Sequence, residues 1–291
     1  MLSDKKFVES FEKKVKGMIK KFNLISPKDK VLVAVSGGKD STTVLHLLKK
    51  FGYALEAVTV DVLIGNYTKQ NLESIKKFCK EQKIKLHVIS FRQKFGYSLC
   101  YIQSLLKQKG VDMRSCAVCG VLRRYLINKF VRKIGATKVV TGHNADDEAQ
   151  AYLMNLLKNK QEMNARLGPM PGIIRDKNFV PRIKPLYLVK ESDVARYSKI
   201  MGFPVKYGRC PCAHDAYRNY IRNLLNEYEQ INPDVKINIV KYFLKQLPKL
   251  RKKFVTNKEL NLCAECGEPS KDAVCRACQI LSHMNKGSQA I

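Results

Sequence analysis

The apolar run Val31-Leu32-Val33-Ala34-Val35 ends directly in Ser36-Gly37-Gly38-Lys39-Asp40-Ser41. A short β-branched run reads as a buried strand, and Thr42 to Leu48 behind it carries the apolar spacing of a helix. Two glycines at such a junction let backbone N–H groups turn inward, and the helix start adds the positive end of its dipole. The junction is therefore suited to hold phosphate. Its spacing is not that of a Walker loop, because G-x-x-x-x-G-K-[ST] is absent.

Strand and helix patterns alternate on both sides of this turn. Residues 5–22 read as a helix with Phe7, Phe11, Val15, Met18 and Ile19 near one face. Strands are expected at Leu55–Val60, Leu86–Ser90 and Lys138–Thr141, and helices at Gln70–Gln82, Leu99–Lys107, Val118–Ile134 and Asp146–Leu157. Alternation of this kind predicts an α/β fold, a parallel sheet with helices on both faces, with a nucleotide at the carboxyl ends of the strands. From Gly168 the texture becomes irregular and proline-rich, and helices follow at Glu191–Met201, Asp215–Glu229 and Val235–Lys245. The expected organisation is an N-terminal helix (1–27), a nucleotide-binding domain (28–170), a linker and helical region (171–258) and a small cysteine module (259–281).

Charge narrows the partners. The 291 residues hold 54 Lys+Arg against 25 Asp+Glu, a net charge of +29. A polyanion is the expected partner, since neutralising phosphates releases counterions and dominates nucleic-acid affinity. No run of eighteen apolar residues is present and the first residues lack a signal-peptide core, so a cytoplasmic protein without a membrane segment is expected.

Ten cysteines in such a chain point to metal or redox chemistry rather than disulfides. Cys263-x-x-Cys266 and Cys275-x-x-Cys278 form two knuckles able to wrap one tetrahedral ion, and structural Zn²⁺ is the expected occupant. Cys116-x-x-Cys119 at a helix start is a second site, flanked by Arg123 and Arg124. Two sulfurs are too few for a cluster, and Cys210-Pro211-Cys212 offers a third. Three thiolates would leave one iron of a [4Fe–4S] cluster without a protein ligand. A redox pair carrying a persulfide is the rival use of the same residues.

Gly142-His143-Asn144-Ala145-Asp146-Asp147 follows a strand and opens a helix. Its acids either cap that helix, hold Mg²⁺ on the phosphates of a nucleotide, or orient the reacting base. His46 is expected to be packed. His214 is read as a loop polar residue, and Cys79 and Cys100 as small core residues.

The hexapeptide Ser36–Ser41 resembles the PP-loop of ATP pyrophosphatases, which cleave ATP between its α and β phosphates. With the CAVCGVLRR run at 116–124, the GHNADDEAQ run at 142–150 and Cys210-Pro211 in order, the chain resembles the TtcA/TtuA family of tRNA-thiolation enzymes over about residues 28–280. The likeness is greatest to the TtuA/NcsA-type 2-thiouridine synthetases. It implies a Rossmann-like PP-loop (HUP-type) domain that adenylates the C2 oxygen of a tRNA uridine, after which sulfur held at a three-cysteine [4Fe–4S] cluster displaces AMP. By the same resemblance ATP contacts fall at Ala34, Ser36, Gly37, Gly38, Lys39, Asp40, Ser41, Val60, Arg123, Gly142 and Asp147, with Lys39, Asp40, Arg123 and Asp147 catalytic. Cluster ligands fall at Cys116, Cys119 and Cys210, and the zinc finger at Cys263, Cys266, Cys275 and Cys278. A sulfur donor (sulfide or a ubiquitin-like thiocarboxylate carrier) and a homodimer are implied as well.

Two departures stand out. Relatives often carry a second zinc finger before the PP-loop, whereas the first cysteine here is Cys79. Cys212 is an extra thiol that competes with Cys210 as third ligand or serves as a persulfide carrier. The rival readings are a cluster-free Cys119/Cys210 persulfide route, a PP-loop amidotransferase, and a non-catalytic zinc-dependent RNA-binding protein. The last two leave the cysteine triad or the PP-loop without a use.

Overall fold

The computed structural model describes residues 3–173, 179–208, 210–213, 217–255 and 261–285. In chain order the elements are α1 (Asp4–Lys21), β1 (Val31–Ala34), α2 (Lys39–Lys50), β2 (Leu55–Asp61), α3 (Gly65–Glu81) and β3 (Leu86–Ser90). Then come α4 (Phe91–Phe95), α5 (Leu99–Gln108), α6 (Ser115–Lys133), β4 (Lys138–Thr141), α7 (Ala145–Leu157) and α8 (Gln161–Ala165). The remainder is β5 (Arg182–Ile183), α9 (Glu191–Ile200), α10 (Tyr217–Ile231), α11 (Val235–Phe254), β6 (Asn261–Leu262), β7 (Pro269–Ser270) and α12 (Arg276–Asn285).

Strands β1 to β5 form one parallel sheet in the order β3-β2-β1-β4-β5. Ala34 at the end of β1 lies in register with Val58 of β2 and Thr141 of β4, so the turns after these strands share one edge. The chain winds in opposite directions from β1, and the crevice at such a switch point is where α/β sheets bind ligands. Because side chains alternate along a strand, Val31, Val33 and Val35 enter a core with α1, α2, α3 and α9. Leu32 enters the opposite core with α5, α6 and α12. Both faces are covered, which is why β1 reads as unbroken apolar sequence. All five apolar residues expected on the inner face of α1 are buried. Phe11 stacks on Tyr197 of α9 at 4.4 Å. A third apolar cluster joins Ala149 of α7 to Ile221 and Leu225 of α10 and Val240 of α11.

Several expectations need correcting. The Pro-rich segment supplies β5, whose two residues pair with Val139 and Val140 of β4 and complete the sheet. Helix α11 does not stop before Pro248 but runs to Phe254. Proline removes one backbone N–H from such a helix. Tertiary anchoring carries it through: Leu247 is buried, and the Arg251 guanidinium donates to the carbonyls of Leu167 and Met170, each at 3.0 Å. Cys79 is buried as expected, but Cys100 is exposed at the start of α5. His46 packs among Phe78, Tyr197 and Phe203, and burial lowers its pKa. His214 and the first residues of the helix expected from Asp215 lie outside the described residues.

Candidate active site and cysteine centres

The turn after β1 is held by its own serines. The Ser41 hydroxyl accepts from Ser36 N–H at 3.1 Å and donates to Gly38 C=O at 3.1 Å. Gly37 adopts φ +83°, and a Cβ there would lie 2.2 Å from the Asn71 carbonyl oxygen of α3. Gly142, just past β4, has the same necessity from the other side: a Cβ would lie 2.7 Å from both the Asp40 carbonyl carbon and the Ser41 nitrogen. Glycine at both positions lets three backbone segments converge.

Asn144 caps α7, its side-chain oxygen accepting from the N–H groups of Asp146 (3.0 Å) and Asp147 (3.2 Å). Asp147 completes a capping box by accepting from Asn144 N–H at 3.3 Å. The cap is thus Asn144 rather than either aspartate. Its Nδ2 also donates to Asp40 Oδ1 at 3.0 Å, which ties α7 to α2. Lys39 Nζ donates to Asp40 Oδ2 (3.0 Å) and to Glu191 Oε1 at the start of α9 (2.7 Å). The two aspartates of α7 divide their work. Asp146 is buried and salt-bridged to Lys236 at 2.7 Å. Asp147 meets Arg218 of α10 at 3.4 Å.

Burial lowers the charge tolerance of this crevice. It raises the Asp147 carboxyl, with Arg218 opposing, and raises Asp40 despite Lys39. For Lys39 burial favours the neutral amine, but Asp40 and Glu191 more than offset it and the pKa is raised. Burial pushes Glu191 up, and Lys39 reverses that to a net lowering. His143 is held neutral by desolvation and by the surrounding cations Lys184, Arg218, Arg182 and Arg124.

A cavity of about 100 Å³ opens beside the turn. Ser36, Val60, Tyr67 and Arg123 line it together with Cys119 and Cys210. Cys119 is one turn ahead of Arg123 on α6; burial raises its thiol, and the Arg123 guanidinium in hydrogen-bond contact opposes this. Cys116 is exposed, with Sγ 3.6 Å from the Cys212 carbonyl oxygen. Cys212 directs its thiol to both Cys210 and Cys100. Sequence distance thus collapses: α5, the start of α6 and the Cys210–Ala213 turn bring five cysteines to one neighbourhood.

The other four cysteines form a separate centre. One ligand atom from each of Cys263, Cys266, Cys275 and Cys278 lies within 4.8 Å of every other. Cys275 N–H points to Cys263 Sγ at 3.1 Å and Cys278 N–H to Cys275 Sγ at 3.5 Å. Four convergent sulfurs supported by backbone N–H groups fit a tetrahedral thiophilic ion. The module packs against α5 and α6, and Cys263, Cys275 and Cys278 belong to the same apolar cluster as Val118 and Leu122.

Sequence reasoning missed Glu191, Arg218, Tyr67 and Lys236. Glu191 reads locally as an ordinary acid in the first turn of a helix, and its contact with Lys39 spans 152 positions.

Residues 7–229 match the ATP_bind_3 family model, a PP-loop domain. A tRNA-5-methyluridine(54) 2-sulfurtransferase of Pyrococcus horikoshii is 34% identical over 96% of this chain and 86% of its own length. A cytoplasmic tRNA 2-thiolation protein 1 of Drosophila erecta is 32% identical over 97% of this chain and 81% of its own. Among solved structures, the U34-tRNA thiolase NcsA of Methanococcus maripaludis, described with its [4Fe–4S] cluster, superposes with a TM-score of 0.78 at 26% identity. That superposition covers 97% of this chain and 88% of the NcsA chain. With the glycine turn, the capped aspartates and the cysteine pair arranged around one crevice, the chain belongs to the PP-loop family of tRNA 2-sulfurtransferases.

Proposed function

We propose that the protein is an ATP-dependent tRNA uridine 2-sulfurtransferase that adenylates the uridine C2 oxygen and replaces it with sulfur. The observation carrying this reading is the single cavity lined by Ser36 of the glycine turn and by Cys119 and Cys210. A nucleotide held by the turn and a sulfur held by the cysteines would then meet at one uridine.

The uracil carbonyl oxygen is a poor leaving group, and transfer of AMP to it makes a phosphate ester that sulfur can displace. Pyrophosphate leaves in the first step and AMP in the second. Ser36 to Ser41 supply backbone N–H groups and Lys39 a cation for the departing pyrophosphate. Ala34, Val60 and Gly142, at the ends of β1, β2 and β4, border the nucleotide. Asp147 and Asp40 are assigned to Mg²⁺ on the phosphates, and Arg123 to the α-phosphate beside Cys119.

Cys116, Cys119 and Cys210 are assigned to a [4Fe–4S] cluster. Their neighbourhood fits one: two thiols one turn apart on a helix, a third from a facing turn, and arginines nearby. The pairing of Cys119 with Cys210 in the cavity supports Cys210 over Cys212 as third ligand. When bound, such a cluster supplies an iron free of protein ligands, able to hold sulfide. The remaining quartet is assigned to structural Zn²⁺. The basic surface is assigned to tRNA, the sulfur donor to sulfide or a thiocarboxylate carrier, and the assembly to a homodimer in the cytoplasm. No helix among the described residues is long and apolar enough to cross a membrane.

Oxygen-free purification followed by iron, labile-sulfide and zinc analysis tests the cofactor assignment. The expected result is about four irons and one zinc per chain, with iron lost in Cys116→Ala. Zinc alone after attempted reconstitution would move the chemistry to a Cys119/Cys210 persulfide, loaded from a donor that already carries sulfane sulfur rather than from sulfide.

A further inference from the structure

Lys39 is the one cation inside the glycine turn, and its ammonium is already engaged. It donates at 2.7 Å to Glu191, the first residue of α9, and at 3.0 Å to its neighbour Asp40. Glu191 is itself held from behind. Its backbone N–H donates to Asp146 Oδ2 at 2.8 Å, and Asp146 Oδ1 accepts from Lys236 of α11 at 2.7 Å. Lys236 uses its other donors on Asn226 Oδ1 (2.6 Å) and Glu229 Oε2 (2.8 Å), both on α10.

The rear of this chain of contacts is dry: the Lys236 side chain is 4% exposed and that of Asp146 7%. Burying such a pair gives little net stability compared with apolar residues of the same size. What it does give is position, since an ammonium with three fixed acceptors has no freedom left. The front is open, with the Glu191 side chain 39% exposed. A carboxylate is thus set on a fixed backbone and aimed at a lysine that would otherwise move on a flexible four-carbon stem.

We propose that Glu191 is a positioning residue for Lys39, holding its ammonium beside the glycine turn until the phosphates of the nucleotide take it over. The proposal rests on the reading of that turn as the ATP site. It has two opposed consequences. The carboxylate orders Lys39 for the reaction, and its negative charge competes with phosphate for the same ammonium. Removing the charge therefore weakens the chemical step and strengthens nucleotide binding. A purely structural contact produces neither change.

The test is steady-state kinetics of ATP-dependent thiolation by the full chain with tRNA and sulfide, together with ATP binding by calorimetry. Glu191→Gln keeps the size and one acceptor oxygen but loses the charge. The expected result is a kcat about tenfold lower and an ATP KM about threefold lower, with Glu191→Asp restoring most of kcat. Lys39 retains Asp40 in these variants and Glu191 is half-exposed, so the thermal midpoint stays near that of the wild type. A kcat equal to wild type, or an ATP KM that rises, overturns the proposal. Wild-type protein that binds no ATP overturns the nucleotide reading instead. Loss of ATP binding in Lys39→Ala, with Glu191→Gln kinetically silent, removes Glu191 alone.

Discussion

Ser36, in the turn after β1, and Cys119, on the second turn of α6, line the same cavity of about 100 Å³. A glycine turn and a pair of thiols that are more than eighty residues apart in the chain therefore border one cavity. Arg123 borders the same cavity one helical turn beyond Cys119, and its charge acts on the Cys119 thiol.

Lys39→Ala removes the cation assigned here to the leaving pyrophosphate while leaving the outer basic surface intact. Thiolation is expected to fall by about a hundredfold or more, the usual cost of one lost electrostatic contact in a transition state. Binding of tRNA, measured by filter retention at fixed salt, is expected to change little.

Asp147 pays for its place in the crevice. Its folded pKa is raised above the ordinary 3.8 by burial, more than Arg218 counteracts. The ionised form is therefore less favourable in the folded protein, and the cost to stability is complete above the folded pKa and absent below the unfolded one. Asp147→Asn is expected to raise the thermal midpoint at pH 7, with the gain shrinking as pH falls toward 3.8, and to abolish turnover with Mg-ATP. Thermal melts across this pH range, paired with activity, check both halves.

Gly142→Ala places a methyl group 2.7 Å from the backbone of Asp40 and Ser41, which cannot rotate away. The expected cost is about 1–3 kcal/mol, the range for overpacking. Weaker ATP binding should accompany it, because the turn and the end of β4 are forced apart. Chemical denaturation and calorimetric ATP titration measure the two effects.

The Cys263–Cys278 module is a structural clamp on α5 and α6 in this account. Cys275→Ser should eliminate bound zinc and lower the thermal midpoint by roughly 5 °C, as a loss of about 3 kcal/mol would in a chain this size. Iron at the other cysteines should be retained. Metal analysis and a melting curve suffice.

What was legible in the chain was what local chemistry determines. The strand–turn–helix at 31–48, the inner face of α1 and the two CxxC knuckles each follow from residues a few positions apart. The contacts that organise the crevice follow from pairing across the fold. Glu191 carries no local mark of its bond to Lys39, and β5 is two residues inside a proline-rich stretch with no strand pattern of its own. Cys100 looked like a core residue because its helix is apolar, yet it lies on the open side of α5 beside Cys212. Pro248 looked like a stop because proline removes a helix hydrogen bond, and the anchoring of Arg251 on three carbonyls of the 165–170 segment was invisible from the sequence.

In the proposed reaction the uridine C2 oxygen leaves on AMP. This is tested by supplying tRNA whose target uridine carries ¹⁸O at C2, with Mg-ATP, the reconstituted protein and sulfide, and analysing the nucleotide product by mass spectrometry. The expected products are ¹⁸O-labelled AMP and unlabelled pyrophosphate, formed in step with 2-thiouridine. Unlabelled AMP, or ADP and phosphate in its place, would contradict it.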